Sequence, residues 1–489
     1  MNGQQRLNLM KVVLVSVLLA VLAVLTAVPV ATLDGFVPGA NRPVAYAMGL
    51  SWVVVIAAFF LLLRIRGRAA TILILVGSVA LGLAAMTGPP NQSTDSARYA
   101  WDGIVQNQGL SPYAHVPAAD ALDAYRPAWL FPGAVASPDE DGYCDGVRID
   151  GTTRFEGTTS IPDGDPLCTA INRPAVPTIY PPVAEGLFAA VRSVVPVTAE
   201  YWPLQAAGLL LSLATTVLLM LGMRRRGLDP RWAAVWGWSP FVAAEAVTNS
   251  HVDVLGVILV VGVTFLAAGS SSSRPLSTVR AVLVGVGVGL AAATKFVPAI
   301  AAVPLARRRP VVIGAATVVT FGLTYVPYLL LSGPAVLGYL PGYLNEEGYD
   351  TGARFALLAP LNAGGLTTVI AGILVLVTLA LAWRLVDIRA PWHAQVVSVG
   401  TVLLVTSPFY AWYALLVIPF VALSRRWEWL AVVLALSFRS LWPEVGQGTF
   451  VLLATAVFTG GMTLWRLRRD RALRTDQDEP ARNRPPVHD

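Results

Sequence analysis

Charged side chains are scarce in this sequence: Asp, Glu, Lys and Arg make up 13% of 489 residues, against 55% hydrophobic residues. With a mean hydropathy of +0.62, that scarcity excludes a soluble globular protein and puts the chain among multi-span membrane proteins. Cysteine is nearly missing as well. Only Cys144 and Cys168 occur, which excludes a cysteine-rich scaffold. Lysine is as rare, with Lys11 and Lys295 alone, so the basic topology signals are written in arginine. No short-period repeat is present, and outside one long loop no stretch is polar enough for a soluble domain.

What the sequence has in quantity is apolar runs near the ~20 residues that a spanning helix needs. Val12 to Leu33, Val44 to Leu63, Ala69 to Thr87, Tyr201 to Met223, Val311 to Leu331 and Leu366 to Trp383 are the firmest, and shorter runs bring the total to about 14 segments. The expected fold is therefore an all-α polytopic membrane protein with about 12 to 14 transmembrane helices. The first run is longer than the apolar region of a signal peptide and is followed by more spans, so it reads as a helix. Arg6/Lys11, Arg64 to Arg68, Arg224 to Arg226, Arg274/Arg280, Arg307 to Arg309, Arg384/Arg389 and Arg425/Arg426 all thread to one side, the cytoplasm by the positive-inside rule. Both termini then face the cytoplasm, and the net charge of +6 reports topology rather than nucleic-acid binding.

The opposite side receives Gly88 to Pro182, a loop with 12 acidic residues against five Arg. Four parts follow: three N-terminal transmembrane helices (1–87), an extracytoplasmic loop with a surface helix over Val183 to Val195 (88–199), a helical bundle (200–466) and a disordered cytoplasmic tail (467–489). Cys144 and Cys168 both lie in the loop, where a disulfide fits the oxidising side better than a thiol or metal pair.

The loop opens with STDSARYAWDG, residues 93–103. A helix over Thr94 to Gln108 would place Asp95, Arg98/Tyr99, Asp102 and Gln106 on one face. A carboxylate near a membrane surface and a second carboxylate is a general-base candidate, while Arg98 pairing would turn either Asp into a surface ion pair. Other polar clusters reach the same side. Tyr180 closes the loop in TIYPP, and EAVTNSHVD packs Glu245, Asn249, His251 and Asp253 into a turn between helices, a place that suits only an interior or cavity. Leu276 to Pro310 is too long for one span and too short for two, so two short helices meeting near Lys295 are expected around a cavity. Lys295 is a snorkelling side chain or a point charge for a phosphate. Glu346, Glu347, Asp350 and Arg354 form a cluster denser than a connector needs in a second outer stretch, Gly338 to Leu358, whose other reading is an interfacial loop with an aromatic belt.

In order and on one side, Asp95-x-x-Arg98-Tyr99-x-Trp101-Asp102-Gly103, Gly109-x-x-Pro112-Tyr113, Tyr180-Pro181-Pro182 and Asn249-x-His251-x-Asp253 resemble glycosyltransferase family 87, of the C-type membrane glycosyltransferases. The resemblance runs from about Thr87 to Arg469. It implies C-type architecture with a large outer loop in the plasma (inner) membrane. The implied activity is a polyprenyl-phosphate-mannose-dependent transfer to an envelope glycolipid or glycan on the extracytoplasmic face. Asp95 is the implied base, Asp102 the second candidate, and His251 a group that orients or protonates. Arg98, Tyr99, Tyr113, Tyr180, Glu245, Asn249, Asp253, Lys295, Glu346, Glu347 and Arg354 are the expected substrate-binding set. No cofactor is required and a divalent metal is optional. The family's base follows its first span whereas Asp95 follows the third, so the first two helices read as an addition. A transporter or flippase of a lipid-linked or small polar substrate is the alternative, and it predicts inverted repeats with midplane charges rather than polar clusters at outer span ends.

Overall fold

The computed structural model describes residues 3–33, 41–131, 158–160, 166–171, 173–269, 276–442 and 445–482. Helices α1 (Gly3–Thr32), α2 (Asn41–Leu62) and α3 (Arg68–Ala84) precede the polar α4 (Asp95–Asn107). An antiparallel hairpin of Thr158–Ser160 and Pro166–Cys168 leads to α5 (Pro182–Ser193) and α6 (Trp202–Arg225). Then come the short α7 (Ala234–Gly237) and α8 (Pro240–Val242), a π-helical turn at Ala243–Thr248, and α9 (Asp253–Ala267). The rest are α10 (Thr278–Ala292), α11 (Pro298–Ala306), α12 (Pro310–Ser332), α13 (Leu340–Glu346), α14 (Leu366–Leu385) and α15 (Trp392–Thr406). Last are α16 (Ile418–Ser424), α17 (Leu430–Leu441) and α18 (Val445–Arg482).

The helical, polytopic character expected from composition holds. By length and composition, 6 helices are able to cross a membrane, or up to 7 if the bent pair Pro240–Thr248 and Asp253–Ala267 is one span. Four apolar helices that the count of about 14 segments included, such as Arg68–Ala84 and Trp392–Thr406, fall below spanning length. Val53, Val311, Leu330 and Leu376 stand exposed on the long helices, as side chains meeting lipid tails do. The interior is aromatic and aliphatic around Trp236, Trp238, Phe241 and Phe420. Two of its indoles are satisfied by backbone carbonyls, Trp236 Nε1 donating to Ser212 O at 3.0 Å and Trp238 Nε1 to Ile74 O at 3.2 Å.

Two features place the polar loop. The bent pair turns by 119° at a break where Ser250 has φ 56°, a left-handed value uncommon outside glycine. Polar groups freed at that break hold the stretch before α4. Thr248 Oγ1 donates to Ala85 O at 2.7 Å, and Gln205 Nε2 donates to Gly88 O at 2.9 Å and Thr248 O at 3.0 Å. Asn249 Oδ1 accepts from the backbone N–H groups of Asn91 at 3.3 Å and Gln92 at 3.1 Å. Close helix approach does the rest. Gly103 in α4 lies against the Phe188 carbonyl of α5, where a Cβ would collide with backbone.

Three expectations change. The surface helix runs over Pro182–Ser193, and it buries Glu185, Phe188 and Arg192 against its neighbours instead of only resting on a membrane. The charged tail is helical as far as Arg482, because a helix already nucleated in the membrane propagates at little cost through Arg- and Ala-rich sequence. The proposed partner of Cys168, Cys144, lies outside the described residues.

Candidate functional site

Asp95 begins α4, where a carboxylate in the first turn meets the positive end of the helix dipole, and its N–H donates to Ser93 Oγ at 3.2 Å. Its side chain keeps 14% exposure and faces a cavity of about 570 Å³. Arg98, Tyr180, Lys295, Trp412 and Tyr413 line the same cavity. The break between α10 and α11 delivers Lys295, as the sequence led us to expect. Its Nζ donates to Asp253 Oδ2 at 2.8 Å and sits 4.5 Å from the centre of the Tyr413 ring, so the ammonium is held by an acid and an aromatic face.

Behind Asp95 lies His251, fully buried, its ring stacked on Trp412 with centroids 3.8 Å apart. Nδ1 is 3.7 Å from Asp95 Oδ2 and Nε2 is 3.2 Å from Glu245 Oε2. The latter distance is short, yet neither ring nitrogen lies on a hydrogen-bonding line with its neighbour. Asn249 is buried and spent on backbone N–H groups, so it positions the irregular stretch before α4 and does not line the cavity.

Asp102 does not face the cavity. Seven residues along α4 it is 1% exposed and takes two hydrogen bonds from Arg98 Nε, at 2.8 and 3.0 Å. Arg98 also donates Nη1 to Val176 O at 3.0 Å. Beside this pair Glu185 is enclosed, accepting from Thr178 Oγ1 at 2.6 Å and Gln106 Nε2 at 2.8 Å, and Tyr328 donates to Gln106 Oε1 at 2.7 Å. Burial pushes the Asp102 carboxyl up against the opposing pull of Arg98. Burial, and then the charge of Asp102, push Glu185 well above the usual carboxylate range.

Tyr180 lines the cavity with Asp95, and Tyr99 packs against Tyr180. Tyr99 stacks on Phe188 at 4.3 Å and meets Tyr180 edge-on at 4.9 Å, and burial followed by the Asp95 charge raises both phenols, which stay neutral. Tyr113 has a supporting place, its hydroxyl donating to Tyr180 O at 2.6 Å. The outer cluster divides. Glu346 pairs with Arg173 at 2.7 Å, Arg173 itself lining the cavity, and Glu347 pairs with Arg354, whose guanidinium lies 4.8 Å from the Tyr349 ring centre. Trp412, Tyr413, Arg173 and Glu185 escaped sequence reading. The run PFYAWY, residues 408–413, was the available signal, an aromatic cluster at the end of an apolar segment. Among the described residues no group of three or more His, Cys, Asp or Glu is arranged to hold a metal ion.

This arrangement gives one cavity a carboxylate able to accept a proton, a cation able to meet an anion, and aromatic walls between. No curated protein and no solved structure matches the chain. Just under half of it does match a protein family, in a segment that contains Tyr180, Glu245, His251, Asp253 and Lys295 and begins after α4. Residues 178–408 match the model of glycosyltransferase family 87, which points to a membrane glycosyltransferase.

Proposed function

We propose that the protein transfers mannose from a polyprenyl-phosphate donor to an envelope glycolipid or glycan acceptor on the extracytoplasmic face, by an inverting single displacement with Asp95 as general base. The observation that carries this reading is the meeting of Asp95 and Lys295 in one aromatic-walled cavity. At about 570 Å³ the cavity has the size of a small-ligand site. A cleft of about 410 Å³, walled by Tyr113, Phe296, Phe321 and Tyr325, has Ile179, Tyr180, Phe296 and Leu340 in common with it. That cleft runs along α12 and suits a prenyl chain.

In this reading Asp95 takes the proton of the acceptor hydroxyl as the oxygen attacks the anomeric carbon. The bond from that carbon to the phosphate oxygen breaks, and its electron pair leaves with the phosphate. Lys295 stabilises the departing charge, held in place by Asp253. The sugar lies beside Trp412 and Tyr413, which line the cavity next to Lys295. No covalent intermediate forms, so configuration inverts.

The test is transfer by purified protein from a panel of polyprenyl-phosphate sugars, with product mass and linkage analysed. Mannose transfer that falls by about 10²- to 10⁴-fold in Asp95→Asn, the usual contribution of a general base, supports the proposal. Full activity in that variant removes Asp95 as base, and transfer of another sugar alone corrects the donor.

A further inference from the structure

We infer that Glu245 and His251 are positioning residues that orient the Asp95 carboxylate through its Oδ2; this rests on the glycosyl-transfer reading above. The imidazole stands between two carboxyl groups, Nε2 at 3.2 Å from Glu245 Oε2 and Nδ1 at 3.7 Å from Asp95 Oδ2, in a fully buried place. Its ring is clamped on Trp412. The π-turn closes underneath, His251 N donating to Glu245 O at 2.9 Å. Such π-turns recur at functional sites.

Counting protons fixes the arrangement. A neutral imidazole has one N–H and one lone pair. Asp95 must be ionised to act as a base, so the nitrogen facing it has to donate, which assigns the proton to Nδ1. Nε2 is then an acceptor, and Glu245 satisfies it only as the protonated acid, its O–H pointing at the ring. Glu245 thereby selects the tautomer, and the contacts to Glu245 and Asp95, at 3.2 and 3.7 Å and both off a hydrogen-bonding line, align and close when substrate tightens the site. A third group that orients a catalytic one through imidazole is a recurrent device on unrelated folds. Here the two ends are both carboxyls and the proton on Glu245 distinguishes them. During transfer Asp95 gains the acceptor's proton while the proton on Nδ1 stays with the imidazole. Nothing else changes protonation.

The chain has four histidines, so protein labelled with ¹⁵N-histidine reports the tautomer directly, with the His251 signals assigned by their loss in His251→Asn. The expected result is a neutral ring protonated at Nδ1; a ring protonated at Nε2, or a stable imidazolium, overturns the inference whether or not sugar transfer is found. Kinetics give the second arm. Glu245→Gln, whose amide N–H still donates to Nε2, is expected to lower kcat by less than about fivefold. Glu245→Leu, which cannot donate, is expected to lower it about 10- to 100-fold with KM for the donor unchanged, the scale of leaving a buried acceptor unsatisfied. His251→Asn, with an amide near the Nδ1 position, should retain more activity than His251→Gln. Equal losses in Glu245→Gln and Glu245→Leu, or in both His251 variants, also overturn it. If the wild type transfers no sugar while the tautomer is as expected, the reaction fails and the hydrogen-bond assignment stands.

Discussion

Asp95 and Asp102 stand two turns apart on α4, yet the fold has given them opposite surroundings. Asp95 looks into the cavity at 14% exposure with His251 behind it, whereas Asp102 is 1% exposed and held by two hydrogen bonds from Arg98. A buried, hydrogen-bonded ion pair fixes geometry but is unavailable to a substrate. The carboxylate that retains water contact and an adaptable partner is the one suited to exchange protons. Under the proposed function, chemistry and scaffolding are divided between two identical side chains on one short helix.

The sharpest way to break this division is to remove the charge of each Asp in turn. Asp102→Asn leaves the Arg98 guanidinium buried without its counter-ion and should destabilise the protein by about 3–5 kcal/mol, the range for breaking a buried pair. Asp95→Asn should leave thermal stability in detergent nearly unchanged while transfer is lost. Stability losses of equal size would erase the contrast. Lys295→Met tests the opposite wall of the chemistry: transfer should fall by about 10- to 100-fold, the value of a hydrogen bond to a charged group, measured as initial rates at saturating donor. Gly103→Ala acts on the scaffold alone. The added methyl meets the Phe188 carbonyl and should cost about 1–3 kcal/mol by overpacking, read from denaturation midpoints.

The smallest effect is on pH. Glu185 has a raised folded value, so its folded form binds a proton more tightly than the unfolded chain does. Its contribution to stability is therefore complete below the ordinary Glu range and is lost as pH rises through the raised folded value. Melting curves across that window should decline with pH in the wild type and be flatter in Glu185→Gln. An unchanged slope would mean that Asp102 and Glu185 do not share this corner as described.

The parts of the site that sequence made legible are those where chemistry contradicts the surroundings. Asp95 in the first turn of a polar helix, and Lys295 between two short helices, violate the apolar rule of a membrane chain and stand out for that reason. Trp412 and Tyr413 did not stand out, because aromatic residues at span ends are common in membrane interfaces. Glu185 was hidden by its helix, whose apolar and polar spacing reads as a surface element; the partners that bury it, Thr178, Gln106 and Tyr328, come from distant parts of the chain. Asn249 was legible as a polar residue in the right place but not as one that serves backbone N–H groups. Apolar runs near Arg68–Ala84 and Trp392–Thr406 form helices of 17 and 15 residues, which length and composition alone do not count among the six candidate spans.

The bonds from Asn91 and Gln92 to Asn249 have a further consequence, for the rotational phase of α4. Only Ser93 and Thr94 separate this clamp from Asp95, so the direction in which the carboxylate points is set by counting residues from a fixed hub. At 3.6 residues per turn, one residue added there would swing the helix face by about 100°. Residue spacing at this junction works as an index mark, and a chain lengthened or shortened between Gln92 and Asp95 would keep its helix while aiming a different side chain at the cavity.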